Sequence, residues 1–191
     1  DFVARHRGTG GLELMLMPHS AYTLDAGQLA EVTALSERLG VPVHIHAAEA
    51  PSEMALVAAR HGTTPVRALD RAGMIRPGTL IAHAVHLDDA EIALMAERGV
   101  AMAHCPLSNA KLASGTARLR DLRTAGAMTS LGTDGAASGN DLDMFRTMRL
   151  AAQMAILASG TPEVLPARDV LAMATREGAR AAGLGDRKGR L

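Results

Sequence analysis

Imidazole and carboxylate groups recur at the ends of short apolar runs in this sequence, where they could support metal-assisted chemistry. Six of the eight histidines occupy such positions: His19, His44, His46, His83, His86 and His104. Asp134 follows a further run of the same kind. Neutral imidazole nitrogens and carboxylate oxygens are ligands that zinc and iron both accept. We therefore predict one divalent metal, with zinc as the first choice and iron as the alternative.

The segment from His44 to Glu49 carries the densest group of candidate residues. His44 and His46 are two positions apart, so on a strand both side chains point to the same face, one layer apart. Only the later residue reaches the strand end, which predicts His46 as a ligand and His44 as a packed residue below it. Glu49 could shuttle a proton beside a metal-activated water. Alternatively, Glu49 is a first-turn glutamate that favours the dipole of the next helix.

Elements of the right length to position these residues alternate along the chain. The β-type runs cover Leu12–Met17, Val41–His46, Thr79–His83, Val100–His104 and Ala127–Gly132. Asp25 and Asp88 each precede a Gln or Glu by three residues, which is the capping-box pattern of a helix start. The longer helices expected near the C-terminus cover Leu142–Ala158 and Ala167–Ala182.

This alternation predicts an α/β fold with a parallel sheet. No glycine-rich turn follows the first run, which disfavours a doubly wound nucleotide-binding sheet. A (β/α)₈ barrel instead places its chemistry at the C-terminal strand ends, which is where the histidines occur. Because a complete barrel needs roughly 250 residues, we expect residues 1–191 to form one partial barrel domain. It would hold about five βα units, corresponding to strands four to eight, with the N-terminal strands missing.

Composition excludes several classes of partner. The sequence has 20 basic and 20 acidic residues, whereas nucleic-acid binders normally carry a basic excess. No apolar run approaches the roughly 20 residues that span a membrane. The single cysteine, Cys105, excludes an internal disulfide and fits a reduced thiol in the cytoplasm. We expect a cytoplasmic protein with a small-molecule substrate and no nucleic-acid or membrane partner. A homo-oligomer is left open.

Four ordered motifs carry a resemblance to a known family. They are His46–Glu49 (HAAE), Ala82–Leu87 (AHAVHL), Ala103–Gly115 (AHCPLSNAKLASG) and Gly132–Ser138 (GTDGAAS). Together they resemble the amidohydrolase superfamily, and within it the deaminases of 5-methylthioadenosine and S-adenosylhomocysteine. Guanine deaminases and triazine chlorohydrolases form the related group.

The resemblance implies a role for five residues. His46 and Asp134 match metal ligands of the family, at the ends of its strands five and eight. His83 matches the histidine that hydrogen-bonds the metal-bound water, and Glu49 matches the carboxylate that shuttles protons. His19 matches a substrate-contacting histidine of the adenosine branch. Asp134, like His83, would also help to orient the water and take up its proton.

The implied activity is metal-dependent hydrolytic deamination of an adenosine-type aminopurine. The alternatives are a guanine or 8-oxoguanine deaminase, or a triazine hydrolase of the same superfamily. The family's first metal motif, a His-x-His after strand one, is absent, since His44 and His46 already have another place. The chain therefore supplies two of four expected protein ligands. We expect it to bind metal weakly and to be inactive alone, as a truncated fragment would be.

Overall fold

A parallel four-stranded sheet lies at the centre of the computed structural model. The structure describes residues 2–190, so the two terminal positions of the predicted domain lie outside the described residues. The strands are β1 (Val43–Ala47), β2 (Thr79–His83), β3 (Ala101–His104) and β4 (Met128–Leu131). Their order is β1-β2-β3-β4, and each neighbouring pair is parallel. The predicted α/β class with a parallel sheet is confirmed, and all four carboxyl ends meet at one edge.

Helices occupy the connections between strands and the C-terminal quarter of the chain. Within residues 2–190 the α-helices are α1 (Phe2–His6), α2 (Ala26–Leu39), α3 (Pro51–His61), α4 (Pro65–Arg71), α5 (Asp89–Glu97), α6 (Pro106–Lys111), α7 (Leu119–Thr124), α8 (Ala136–Gly139), α9 (Met144–Ser159), α10 (Ala167–Ala174) and α11 (Arg176–Ala181). In this part of the chain, no helix has both the length and the apolar character needed to cross a membrane.

Both predicted capping boxes are present. The Asp25 carboxylate accepts the Gln28 N–H at 2.8 Å, and the Gln28 side chain accepts the Asp25 N–H at 3.0 Å. Asp88 and Glu91 make the same reciprocal pair at the start of α5. Helix α2 ends at Gly40, whose φ of 59° is the left-handed conformation that glycine adopts without steric cost. These local signals fix where the connecting helices begin and end.

The first predicted strand is wrong as a regular strand. Within Leu12–Met17 only Leu16 forms a bridge, a parallel one with Val43, and Ser20 forms a second with His46. Leu12 is 53% and Met17 70% exposed, so the run buries too little apolar surface to order a full strand. Pro18 also lacks the N–H that a continuous ladder would need between the two bridges. The run is therefore an irregular edge segment beside β1.

The predicted helix over Ala167–Ala182 is also wrong as one element. Thr175 has φ −125° and ψ −97°, which no α-helix accommodates, and it separates α10 from α11. The preceding helix α9 begins later than predicted, because Asp143 caps it by accepting the N–H groups of Phe145 and Arg146. Helix α4 was not predicted at all.

The two faces of the sheet differ in what covers them. We call the side packed against the helices the helix-facing side; its strand residues include Val43, Ile45, Ile81, Met102 and Leu131. Because residues paired in a parallel ladder point to the same side, the register places the alternate residues on the opposite face. We call this the inner face; it carries His44, His46, Leu80, Ala82, Ala101 and Ala103. The second histidine of β1 therefore lies at the carboxyl end of the inner face.

Candidate active site

The candidate site forms where the chain leaves the carboxyl ends of the strands. Ala48, His83, Ala84 and Asp134 all have positive φ, at 56°, 73°, 46° and 59°. Such left-handed geometry is unfavourable for non-glycine residues, by about 1 kcal/mol or more each. The surrounding contacts must therefore hold these bends, and the bends bring side chains from separate strands together.

Three imidazole rings lie side by side at this edge. The His19 and His46 ring centroids are 5.2 Å apart, and those of His46 and His83 are 5.5 Å apart and nearly parallel. His46 Nδ1 lies 2.8 Å from the His19 carbonyl oxygen, which can only accept a hydrogen bond. Nδ1 of His46 thus carries the proton, and the Nε2 of the neutral ring keeps a free lone pair. This arrangement, with one ring nitrogen tied to a carbonyl, is the usual one for a metal-binding histidine.

His83 is enclosed between a carboxylate and an amide. Its Nε2 lies 3.7 Å from Glu49 Oε2, while its side chain is only 1% exposed. On the other side of the ring, Nδ1 donates to the Asn109 Oδ1 at 2.8 Å. Because Asn109 is fully buried, it holds the plane and tautomer of the His83 ring. Asn109 lies in the AHCPLSNA motif, but only the folded structure reveals its contact with His83.

Asp134, which follows β4 at the carboxyl edge of the sheet, is a half-buried carboxylate held in its charged form. Partial burial alone would raise the pKa of Asp134, but the adjacent Ser108 hydroxyl and Gly135 N–H outweigh it and leave the pKa below its usual value. The Gly135 N–H donates to Asp134 Oδ1 at 2.6 Å. The nearby imidazoles of His83 and His46 lower the pKa of Asp134 further. The Asp134 carboxyl group is therefore ionised at neutral pH.

His19 lies at the exposed rim of the site. Its ring meets Tyr22 edge-on at a centroid distance of 5.3 Å, and its Nδ1 is 3.2 Å from the Thr23 hydroxyl. Ring contacts and the Glu49–His83 pair thus join four of the five sequence-predicted site residues: His19, His46, Glu49 and His83. The fifth, Asp134, interacts electrostatically with His46 and His83.

Two other strand histidines lie outside this group. His44 is in the layer below His46, as predicted, and its buried Nε2 has no hydrogen-bond partner. Burial, followed by the neighbouring imidazoles of His46 and His83, lowers the pKa of His44. His104 pairs with Leu131 and so shares the parity of the helix-facing side. It is fully buried, and desolvation lowers its pKa to about 3.

The lone cysteine has no reactive environment. Cys105 is buried, and desolvation, with the nearby Asp134 charge, raises the pKa of its thiol to about 12. A thiol of this kind stays protonated at neutral pH and is a poor metal ligand.

The donor set suits a divalent metal but does not complete a site. His46 Nε2 and the Asp134 carboxylate are the nitrogen and oxygen donors that zinc accepts. Among residues 2–190, however, no three histidine, cysteine, aspartate or glutamate side chains are grouped so that they could hold a metal ion. His46 and Asp134 thus have the right chemistry for two metal ligands, and no third side chain of these types is grouped with them among residues 2–190.

A parallel α/β sheet with candidate functional side chains at its carboxyl edge is typical of enzymes built on (β/α)₈ barrels. The sequence pattern of the Amidohydrolase family matches residues 3–191. The chain belongs to the amidohydrolase family, as the sequence motifs predict.

Two curated relatives are similar along nearly the whole chain. The 5-methylthioadenosine/S-adenosylhomocysteine deaminase of Desulforudis audaxviator (strain MP104C) is 46% identical over 193 residues, covering 100% of this chain and 45% of that protein. The 5'-deoxyadenosine deaminase of Methanothermobacter thermautotrophicus is 45% identical over 173 residues, covering 91% of this chain and 40% of that protein. The chain thus spans less than half the length of these relatives.

Solved structures show the same relationship. An adenosine deaminase from Xanthomonas campestris with bound zinc superposes with a TM-score of 0.94 at 40% identity, covering 97% of this chain and 42% of that one. The E. coli guanine deaminase superposes with a TM-score of 0.91 at 27% identity, covering 99% of this chain and 44% of that one. The match again involves less than half of each larger chain.

Proposed function

We propose that this chain forms the C-terminal part of a (β/α)₈ barrel whose complete form deaminates adenosine-type aminopurines by hydrolysis. The observation that carries the proposal is the contact of Glu49 with His83, at 3.7 Å, beside the His46 imidazole. A carboxylate and two imidazoles at one strand edge supply the proton-transfer groups that such hydrolysis needs. The deaminase names of the relatives support the adenosine branch.

In this proposal His46 and Asp134 hold one divalent metal, with zinc favoured by the zinc-bound relative and iron as the alternative. When bound, the metal supplies a water acidified enough to attack at neutral pH. The chain offers two of the four expected protein ligands. We therefore expect the isolated 191-residue chain to bind metal weakly and to show no appreciable turnover.

The protein's own residues then move the protons. Asp134 and His83 orient the attacking water and take up its proton. Glu49 protonates the ring nitrogen next to the amino-bearing carbon, which makes that carbon electrophilic. Glu49 then helps to pass the proton taken up by Asp134 and His83 to the departing amino group, which leaves as ammonia, and the proton of the added hydroxyl restores the Glu49 carboxyl group. His19, at the rim, contacts the substrate.

A second candidate keeps the chemistry and changes the substrate. The likeness to the E. coli guanine deaminase and to a triazine hydrolase, with a TM-score of 0.93 at 29% identity, favours these two classes as alternatives. Both would use the same carboxylate and histidines. We expect a small-molecule substrate in either case; a cytoplasmic location and a homo-oligomer remain predictions from the sequence.

Ammonia release from a substrate panel separates these candidates. The longest form of the protein that contains these residues is supplied with zinc and offered methylthioadenosine, S-adenosylhomocysteine, adenosine, guanine and a chlorotriazine, with chloride release measured for the last. We expect release from the adenosine compounds. Ammonia release from guanine alone would contradict the assignment to adenosine-type substrates. If a form that contains the upstream His-x-His motif released no product from any compound, the proposed chemistry would be contradicted.

A further inference from the structure

Glu53 is a buried carboxylate that the proposed proton transfers do not use. It is only 3% exposed and lies in the first turn of α3. Burial raises the pKa of Glu53, and the nearby Glu49 charge adds to this. Hydrogen bonds from the backbone N–H groups of Glu49, Ala48 and Ala50 act in the opposite direction. A nearly enclosed ionisable group is costly unless its oxygens are satisfied, so its partners indicate what it does.

Both carboxylate oxygens of Glu53 accept backbone N–H groups from the turn that carries Glu49. The Ala48 N–H donates to Oε1 at 3.0 Å, and the Glu49 N–H donates to Oε2 at 2.6 Å. These donors precede the N-cap residue, Ala50, and are not part of the helix. The contact therefore goes beyond ordinary helix capping, in which a third-position glutamate accepts the N–H of the N-cap itself.

Glu91 provides the ordinary case in the same protein. It is 2% exposed, occupies the third position of α5, and accepts the N–H of its N-cap, Asp88, at 3.0 Å. Its other oxygen accepts from the Thr64 hydroxyl. Glu91 thus matches Glu53 in burial, residue type and helix position, but it holds a helix start instead of a turn at the candidate site.

The turn that Glu53 holds is also tied to the end of β2. The Ala48 carbonyl oxygen accepts the N–H groups of Val85 and His86, at 2.8 and 2.9 Å. Ala48 has a φ of 56°, which an alanine adopts only when its surroundings enforce it. The backbone of Ala48 is therefore fixed on its carbonyl side by the segment that follows His83 and on its N–H side by Glu53.

We propose that Glu53 is a positioning residue that holds the Ala48–Glu49 turn and so keeps the Glu49 carboxylate against His83. The role rests on the proposed function, since Glu49 is the proton-transfer group of that proposal. In this role Glu53 acts only through the backbone N–H groups that it accepts. Its action is to fix two N–H groups, so that the Glu49 side chain starts from one backbone geometry.

Amide hydrogen exchange tests the clamp without requiring activity. In the longest form of the protein with zinc, Glu53→Gln replaces one acceptor oxygen by an NH₂ group that cannot accept. We expect exchange to rise by about tenfold to a hundredfold at whichever of the Ala48 and Glu49 amides loses its acceptor, while that of Ile45 in β1 is unchanged. In the matched control Glu91→Gln, the Asp88 amide alone should respond. Unchanged exchange at Ala48 and Glu49 would overturn the proposal.

Steady-state kinetics then separates positioning from general stability. We expect Glu53→Gln to lower kcat at least tenfold, with KM and bound zinc within about twofold of wild type. Glu91→Gln should leave kcat within about twofold. Equal kcat values for the two variants would overturn the positioning role. If the unmodified protein deaminates nothing, the proposed function fails, and the exchange measurement alone decides whether Glu53 holds the turn.

A double variant keeps the proposal testable if Glu53→Gln does not fold. Glycine adopts positive φ without steric cost, so adding Ala48→Gly should reduce the need for the clamp. We expect the double variant to recover folded protein. If it remains unfolded while Glu91→Gln folds, Glu53 is a general core residue and the proposal is wrong.

Discussion

The two faces of the sheet differ in how their residues are packed. On the helix-facing side, Ile45, Ile81 and Met102 are at most 1% exposed and belong to one continuous core. On the inner face, Leu80, Ala101 and Ala103 form a small separate cluster with partly buried Met15 and Ala181. The histidines of β1 lie on this second face.

The difference indicates that the continuous apolar core lies on one side of the strands and the two β1 histidines on the other. In a closed barrel, side chains from all strands fill the interior in layers. The inner face of this chain contributes mostly small residues and histidines, so its packing depends on what lies opposite. The helix-facing residues instead form one continuous cluster with the helices of this chain.

Alanine substitutions of two adjacent residues in β2, Ile81 and Leu80, test this difference between the faces. They have the largest expected effect on stability. Ile81→Ala should lower the free energy of unfolding by about 2–5 kcal/mol, because it opens a cavity in an enclosed core. Leu80→Ala on the inner face should cost no more than about 2 kcal/mol, since fewer atoms surround the deleted ones. Urea unfolding of both variants provides the measurement. An equal or larger cost for Leu80→Ala would remove the distinction between the faces.

Substitution of Asn109 tests whether contacts at the carboxyl edge of the sheet orient the His83 ring. Asn109→Ala leaves the buried His83 Nδ1 without its acceptor, which costs about 1–3 kcal/mol. In the longest zinc-loaded form we expect kcat to fall by about tenfold to a hundredfold, as is typical for residues that orient a functional histidine. Rescue by Asn109→Asp, which retains an acceptor oxygen, would support the orienting role. Unchanged kcat in Asn109→Ala would refute it.

The lowered pKa of His104 predicts how the stability of the protein depends on pH. Its pKa is about 3 in the folded protein against 6.5 for the free side chain, so between these values the unfolded chain binds the extra proton. Stability contributed by the neutral ring is complete above pH 6.5 and is lost as the pH falls through that window, by about 1.4 kcal/mol per unit at most.

The non-titrating variant His104→Leu isolates this contribution. Its melting temperature should fall less than that of the unmodified protein between pH 7.5 and pH 5. Parallel curves for the two proteins would show that His104 is not the group responsible.

Chemical labelling of Cys105 has the smallest expected effect, because the thiol of the folded protein should not react. Because its buried thiol has a pKa of about 12, a thiol-reactive dye at pH 8 should not modify the folded protein. One equivalent should react after unfolding in guanidinium. Rapid labelling of the folded form would mean that the edge of the sheet beside Asp134 opens to solvent.

Local sequence signals predict much of this fold. The capping boxes at Asp25 and Asp88, the strands β1 to β4 and the parallel sheet all follow from residue patterns within a few positions. The irregular Leu12–Met17 segment and the break at Thr175 do not, because both depend on how much surface distant elements cover. Helix propensity alone cannot reveal a backbone angle that tertiary packing imposes.

The candidate site is predictable to a similar extent. Strand ends and motif resemblance point to His46, Glu49 and His83, which the structure brings together. The orientation of His104 is set by the register of β3, where one residue decides which face a side chain joins. The contacts of Asn109 and Glu53 depend on distances that no spacing in the sequence encodes.

Bound zinc and ammonia release, measured together on the longest form of the protein, test the central claim most directly. We expect Glu49→Gln to keep its zinc and to lose turnover by about a hundredfold to ten-thousandfold, because a proton-transfer group is removed. His46→Ala should lose both zinc and turnover, because a metal ligand is removed. Near-normal turnover in Glu49→Gln, or full zinc in His46→Ala, would contradict the account.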